Sequence, residues 1–116
     1  MPSLMLTCRH RPGVALISVT GEIDTTTSGQ LDAYIQQARR QPGDHLVFDL
    51  AEMPFMDSTG LRVLLNTYTF TSRHGGTVRL VALQPAPSRI LQITGVDSHL
   101  PVHATVADAL AALQIE

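Results

Sequence analysis

The stretch His45-Leu46-Val47-Phe48-Asp49-Leu50, followed shortly by Asp57-Ser58-Thr59-Gly60-Leu61, decides the fold. Four of the six residues in the first part are apolar, three of them consecutive, which is typical of a strand buried on both faces of a sheet. Beyond it the apolar residues recur at the spacing of one helix face: Leu61, Leu64, Leu65 and Tyr68. The chain is therefore predicted to pass from a buried strand into a helix whose first turn contains Ser58.

Asp57 is the expected N-cap of this helix, with its carboxylate accepting hydrogen bonds from the backbone N–H of Thr59 or Gly60. A glycine costs about 1 kcal/mol relative to alanine inside a helix. Gly60 in the first turn therefore predicts that another backbone or a partner comes close here. Helix N-termini favour phosphate groups, so Ser58 is placed where a phosphate can be accommodated.

The N-terminal part predicts an antiparallel hairpin and a first helix. Residues 4–8 and 14–20 have the composition of strands, and the turn at Arg11-Pro12-Gly13 joins them. Asp24, followed by three threonines, has the pattern of a helix start, and a Pro-Gly pair closes the helical segment. We therefore expect a helix over roughly residues 25–41 with Asp24 as its N-cap.

The strand and helix alternation continues in the second half of the chain. Gly75-Gly76 is expected to end the helix that Asp57 begins, and residues 77–83 to form the next strand. Pro85 is placed to open a short helix, with Gly95 in the left-handed conformation behind its end.

Residues 100–103 predict a brief strand, and Thr105 caps a last helix. Strands that alternate with helices are typical of a largely parallel sheet. We expect a single α/β domain over residues 1–116 with a mixed, mostly parallel sheet of about five strands. The N-terminal hairpin supplies the antiparallel pair, and about four helices pack mainly on one face. A chain of this length removes roughly 60–70% of its unfolded surface from water on folding.

Composition argues against several kinds of partner. The net charge is −2 and the eight Lys and Arg residues form no stripe, while three Phe, two Tyr and no Trp give few surfaces for stacking bases, so nucleic acid is disfavoured. No apolar run approaches the roughly 18 residues of a membrane span. The only cysteine, Cys8, cannot form an internal disulfide, and no charged leader precedes a long apolar run. These features predict a reducing, cytoplasmic setting.

Patterns for catalysis or for metal and cofactor binding are weak. The five histidines show no HExxH motif and no pairing with cysteine. No GxxxxGK[ST] or GxGxxG occurs, so the usual backbone cradle for a nucleotide is missing. Ser58 does not lie in a G-x-S-x-G motif, and no pattern assigns it a histidine and an acid, which disfavours a hydrolase. We expect no enzyme activity, no metal and no cofactor.

The loop before Ser58 is apolar and contains Met53, Phe55 and Met56. We expect Phe55 and Met56 to point into the core. Met53, beside Pro54, is expected to be exposed and to contribute to a docking patch, since methionine side chains adapt to partner surfaces.

Several landmarks of this chain, in their order and spacing, resemble the STAS domain family, specifically its small stand-alone members, the bacterial anti-sigma factor antagonists. Gly21-Glu22-Ile23-Asp24 looks like the family's G-E-[LI]-D. The strand at Val47–Leu50 with the segment Phe55–Leu61 is similar to its strand, short loop and D-S-x-G-L. Gly75-Gly76 and Gly95-Val96-Asp97 match two later landmarks.

The resemblance implies a function with defined partners. The unphosphorylated protein would bind an anti-sigma factor that is also an ATP-binding serine kinase, and this binding would free a sigma factor. Phosphorylation of Ser58 by that kinase would end the binding, and a metal-dependent serine phosphatase would restore it. The alternative is a STAS scaffold or transport-accessory protein whose Ser58 is never modified.

The resemblance also implies roles for single residues. Asp24 would lie near the switch serine and help present the partner surface, and Asp57 would contribute to kinase recognition. The expected partner-binding set is Asp24, Asp57, Ser58, Thr59, Gly60 and Met53. Thr59 is a secondary candidate phosphoacceptor. The protein is expected to be a monomer or weak dimer that contacts neither nucleic acid nor membrane.

Overall fold

The strands of the sheet stand side by side in their order along the chain, β1-β2-β3-β4-β5. The computed structural model describes residues 4–113. The strands are β1 Met5–Arg11, β2 Val14–Thr20, β3 His45–Glu52, β4 Val78–Val81 and β5 Val102–His103. The helices are α1 Ser28–Ala38, α2 Ser58–Arg73, α3 Pro85–Thr94 and α4 Val106–Ala112, with a 3-10 turn at Val96–Ser98.

The β1–β2 pair is antiparallel and the remaining pairs are parallel. This is the mixed, mostly parallel five-stranded sheet that the sequence predicts. Parallel neighbours need a crossover between them, and α1, α2 and α3 supply these connections. The fold prediction is confirmed.

The central strand β3 is buried on both faces, as its apolar run predicts. Alternate side chains of a strand point to opposite faces. Phe48 and its neighbours on one face belong to the main core, which also takes the buried sides of α1, α2 and α3. Val47 points the other way, into a smaller cluster under α4 that includes Ala109 and Leu110. Three helices therefore cover one face and α4 the other.

Helix α1 is shorter than the sequence predicts, beginning at Ser28 rather than near residue 25 and ending at Ala38 rather than near 41. At its C-terminal end the carboxylate of Asp44 accepts from the backbone N–H of Arg40 (3.1 Å) and of Gln41 (3.0 Å). These bonds hold the backbone in a turn and compete with further helical bonds.

Strand β4 is also shorter than expected, ending at Val81 instead of residue 83. Ala82 has φ +56°, which turns the chain out of the strand conformation. The side-chain amide of Gln84 then donates to the carbonyl of Ala51 (2.7 Å), linking the start of α3 to the end of β3. The brief last strand covers only Val102–His103 of the expected 100–103.

Strand β1 runs to Arg11, three residues beyond its predicted end at residue 8, and the other predicted boundaries are close to the observed ones. Gly95 follows α3 with φ +76°, the left-handed conformation expected there. The Thr105 hydroxyl oxygen accepts from the backbone N–H of Asp108 (3.1 Å) and caps α4. Across residues 4–113, no helix combines the length and the apolarity needed to cross a bilayer.

Candidate functional site

Two loops at the carboxyl edge of the sheet are held together by backbone hydrogen bonds. Beyond the ends of β2 and β3, the N–H of Ile23 donates to the carbonyl of Phe55 (3.0 Å), and the N–H of Asp57 donates to the carbonyl of Ile23 (3.0 Å). Ile23 and Met56 thereby form an isolated parallel bridge. Because Asp24 and Asp57 each follow a bridged residue, the structure brings these two predicted site residues to the same edge.

The start of α2 has the cap that the sequence predicts. One carboxylate oxygen of Asp57 accepts from the N–H of Thr59 (2.8 Å) and of Gly60 (3.4 Å). The Thr59 hydroxyl donates to the same oxygen and is thus already engaged within the turn. Ser58 is exposed in the first turn. The cap orders the helix start without using the Ser58 hydroxyl.

Asp24 lies in a turn before α1 and is not its N-cap, so the predicted capping role is wrong. Its carboxylate accepts from the N–H (2.8 Å) and the hydroxyl (2.6 Å) of Thr26. The N-cap is Thr27, whose hydroxyl instead donates to the carbonyl of Glu22 (2.9 Å). An aspartate bonded to the backbone two residues ahead favours a local turn over a helix, which delays α1 to Ser28.

The same hydrogen bonds favour the charged form of the Asp24 carboxyl. Donation from the hydroxyl and N–H of Thr26 lowers the pKa of the Asp24 carboxyl, because these bonds stabilise the charged form. An aspartate is ionised at neutral pH in any case, and these bonds keep Asp24 ionised to a lower pH than usual, at the same edge as the cap Asp57. The site as a whole presents carboxylates and hydroxyls.

Gly60 is required by neighbouring side chains, whereas the sequence predicts that another backbone or a partner comes close to it. A Cβ at this position would lie 2.5 Å from Cγ of Met56 and 2.6 Å from Cγ2 of Ile23. Both residues are buried, and Gly60 is buried with them. The bridge between the two loops is what brings these side chains against α2.

The exposure of the loop before Ser58 is the reverse of the prediction at two positions. Met53 is only 2% exposed and belongs to the main core, whereas Phe55 is 43% exposed. Met56 is buried at 4%, as expected. The N–H of Met53 donates to the carbonyl of Leu50 (3.1 Å) and closes a turn at the end of β3. Met53 cannot be the exposed docking residue that its position beside Pro54 predicts.

Phe55 instead forms one wall of an open apolar groove of about 410 Å³ whose other side is α3. The lining is Phe55, Met56, Pro85, Ala86, Arg89, Ile90 and Ile93. Ile93 is 77% exposed, the largest exposure among the big apolar side chains described. Sequence reasoning missed this groove, although an isoleucine on a short amphipathic helix away from its buried face was a signal.

The histidines are engaged in separate local contacts. His10 Nε2 lies 2.7 Å from the carbonyl of Ala38, and His45 Nδ1 lies 2.9 Å from the hydroxyl of Thr77. No group of three His, Cys, Asp or Glu residues within 4–113 is arranged to hold a metal ion. The Cys8 thiol is half-buried, and burial raises its pKa, which leaves it a poor nucleophile.

A family model for the STAS domain matches residues 5–109. The chain belongs to the STAS domain family. Its relatives include the anti-sigma F factor antagonist of Paenibacillus polymyxa, 29% identical over 114 residues that make up 97% of each chain. The anti-sigma-F factor antagonist RsfB of Mycobacterium tuberculosis is 30% identical over 97% of this chain and 91% of its own.

A solved structure of an anti-sigma factor antagonist from Mycobacterium paratuberculosis is similar to this STAS domain with a TM-score of 0.86 at 34% identity. The match covers 97% of this chain and 95% of the other. Over nearly its full length, the chain is thus similar to proteins named anti-sigma factor antagonists. The family resemblance drawn from the sequence motifs is confirmed.

The packing at Gly60 gives a testable prediction for this STAS domain. Gly60→Ala should lower the free energy of unfolding by about 1–3 kcal/mol, because the added methyl overpacks against Ile23 and Met56. The gain in helix propensity, up to about 1 kcal/mol, offsets only part of this. The measurement is urea unfolding followed by circular dichroism.

The matched control is Gly29→Ala in α1, where nothing lies within 4 Å of the added Cβ. That variant should be as stable as wild type or more stable. Equal stability of the two variants would contradict the close packing described at Gly60.

Proposed function

We propose that this STAS domain is an anti-sigma factor antagonist controlled by the phosphorylation state of Ser58. Unmodified, it binds an anti-sigma factor that is also an ATP-binding serine kinase, and this frees a sigma factor. Phosphorylation of Ser58 by that kinase ends the binding, and a serine phosphatase reverses the modification. The relatives named anti-sigma factor antagonists support the first step.

The observation that carries the proposal is the exposed Ser58 on a helix start that is already ordered. Asp57 occupies the N–H groups of Thr59 and Gly60, so the backbone around Ser58 is fixed before any partner arrives. A kinase meets an exposed hydroxyl on a rigid turn. The Thr59 hydroxyl donates a hydrogen bond to Asp57 and is therefore the poorer phosphoacceptor.

A phosphate on Ser58 is expected to leave the fold in place. It adds a charge of about −1.5 to −2. The helix N-terminus stabilises this charge by on the order of 0.3–1 kcal/mol at an exposed position. The carboxylate of Asp57 opposes the new charge, and salt screens this repulsion at the surface. The two effects act in opposite directions on a turn whose hydrogen bonds do not involve the Ser58 side chain.

A partner surface laid over this helix start has no comparable compensation. It would have to remove water from a dianion or clash with it, and burying an unpaired charge is costly. A coupling of about 1–3 kcal/mol between modification and binding already changes the affinity 5- to 150-fold. The switch therefore acts at the interface, and no rearrangement of the domain is needed.

The partner-binding residues are revised accordingly. Asp24, Asp57, Ser58 and Thr59 form the polar part of the contact surface. Gly60 acts indirectly, by letting Ile23 and Met56 pack beneath the helix start. Met53 contributes to the core that supports the loop.

The test is intact-mass spectrometry with peptide mapping after incubation with ATP and each anti-sigma kinase encoded in the same genome. The expected result is one phosphate on Ser58 with one of these kinases, and none on Ser58→Ala. If no kinase modifies wild type, the proposed phosphorylation switch is wrong. The better interpretation is then a STAS scaffold or transport-accessory protein whose Ser58 is not modified.

Replacing Ser58 should separate binding from stability. Ser58→Asp is expected to weaken binding to the kinase at least 5-fold with a melting temperature within a few degrees of wild type, because the charge acts on the partner. Ser58→Ala should bind and resist ATP-dependent release. Isothermal titration calorimetry and thermal melts measure the two quantities.

Asn66→Asp is the control, since it adds a similar charge at an exposed position two turns along the same helix. It should bind as wild type does. Loss of the fold in Ser58→Asp, or equal weakening by Asn66→Asp, would contradict a local switch at the helix start.

Arg62 should affect the ionisation of the phosphate. It is exposed on α2 four residues after Ser58, the spacing at which side chains on one helix face pair. Its positive charge favours the dianion, so Arg62→Gln should raise the second pKa of phosphoserine 58 by about 0.2–0.4 units. Phosphorus NMR titration measures this value. Arg73→Gln, at the far end of α2, should leave it unchanged, and an equal shift in both variants would exclude a specific pair.

A further inference from the structure

The apolar groove between α3 and the loop before Ser58 has no role in the switch as proposed so far. Its floor and walls come from two segments, the loop with Phe55 and Met56 and the outer side of α3 with Ile90 and Ile93. The volume of about 410 Å³ falls within the usual range of binding pockets. Arg89 is exposed and supplies the cationic group of the lining.

Keeping Phe55 and Ile93 in water forgoes the stabilisation that burial would bring. Apolar area contributes about 25 cal/mol per Å² when it is removed from water. Exposed apolar side chains that line a groove, with a charged residue beside them, are typical of a protein–protein contact surface. The groove is thus shaped to receive something apolar.

The polar site around Ser58 makes a poor interface by itself. Asp24, Asp57 and the nearby hydroxyls resemble the rim of an interface, and exposed polar pairs of this kind contribute little affinity. A standard interface buries about 800 Å² on each partner and depends on a few apolar anchors near its centre. The groove offers the apolar area that this site lacks.

The groove and the switch are parts of one continuous surface. Phe55 and Met56 directly precede Asp57 and Ser58 in the chain. The backbone bonds from Ile23 to Phe55 and from Asp57 to Ile23 fix this loop against the turn that carries Asp24. A protein that covers Ser58 therefore also contacts the groove, because Phe55 and Met56 belong to the loop that leads directly to Ser58.

We propose that the groove binds an apolar side chain of the same anti-sigma factor that covers Ser58, with a carboxylate of that partner beside it pairing with Arg89. This inference rests on the proposed function and assigns its partner an acidic, apolar contact segment. The groove provides affinity in both states of the switch, and Ser58 decides whether the partner can close over the helix start.

A second copy of this chain fits the groove less well. In a symmetric dimer the same patch faces itself, which brings two Arg89 side chains to one interface. A partner with a carboxylate at this position avoids that repulsion.

The experiment measures the affinity of the kinase that modifies Ser58 for groove variants by isothermal titration calorimetry. Phe55→Ala and Ile93→Ala should each weaken binding at least 5-fold, and Arg89→Glu at least 10-fold, because removal of an anchor or reversal of a charge acts on the contact itself. Ile93 is so exposed that its replacement should not disturb folding.

The matched control for Phe55 is Phe70→Ala, since Phe70 is 40% exposed and Phe55 is 43% exposed. Phe70 lies near the other end of α2, about 18 Å along the helix from Ser58. Arg9→Glu on β1 is the control for charge reversal at an exposed arginine. Both controls should bind within 2-fold of wild type, and thermal melts confirm that every variant is folded.

The outcomes separate this inference from the proposed function. Failure of wild type to bind or be modified by any candidate kinase overturns both. Binding that Ser58→Asp weakens but Phe55→Ala, Ile93→Ala and Arg89→Glu leave unchanged overturns the groove alone. A concentration-dependent dimer by light scattering that Ile93→Ala dissolves would also overturn it, because a second copy would then be the occupant.

Discussion

The site depends on the parallel pairing that continues past the ends of β2 and β3. Two hydrogen bonds of 3.0 Å join Ile23 to the loop before α2, one to Phe55 and one from Asp57. Without them the turn with Asp24 and the start of α2 would be separate loops. With them, both become one rigid edge, because each bond satisfies a backbone group at a place where the side chains of Ile23 and Met56 are buried.

Packing beneath this edge explains why a glycine stands in the first turn of α2. The side chains of Ile23 and Met56 approach so closely that a Cβ on residue 60 would overlap them. The helix gives up intrinsic propensity and gains close contact with the bridged loops. Ser58 is therefore held at a fixed position above the packed side chains of Ile23 and Met56. This suits a modification that a partner detects by direct contact, without refolding of the domain.

The surface around Ser58 divides into two chemically different parts. The polar part has the carboxylate of Asp24, which accepts hydrogen bonds from Thr26, and the capping carboxylate of Asp57. The apolar part is the groove formed by Phe55 and α3. In the switch that we propose, charge at the polar part regulates binding and apolar area at the groove provides affinity, since a phosphate changes electrostatics strongly while it leaves apolar contacts intact.

Local signals in the sequence determined the order and type of the elements. The apolar run of β3, the helical spacing from Leu61 onward and the caps at Asp57 and Thr105 each act over a few residues and were interpreted correctly. The motif around Ser58 also indicated the family. Such features are visible in sequence because their hydrogen bonds and periodicities close within one or two turns of chain.

Tertiary structure decided what long-range contacts control. Met53 packs in the main core with residues of other elements and Phe55 is left exposed, against the expectation from composition. The turn at Asp24 was missed for a local reason, because aspartate favours both a helix cap and a turn closed two residues ahead. The neighbours of Gly60 and the groove with Ile93 arise from segments far apart in the chain. Periodicity in one segment carries no information on which surface another segment will cover, so exposure and adjacency at this site followed only from the packed fold.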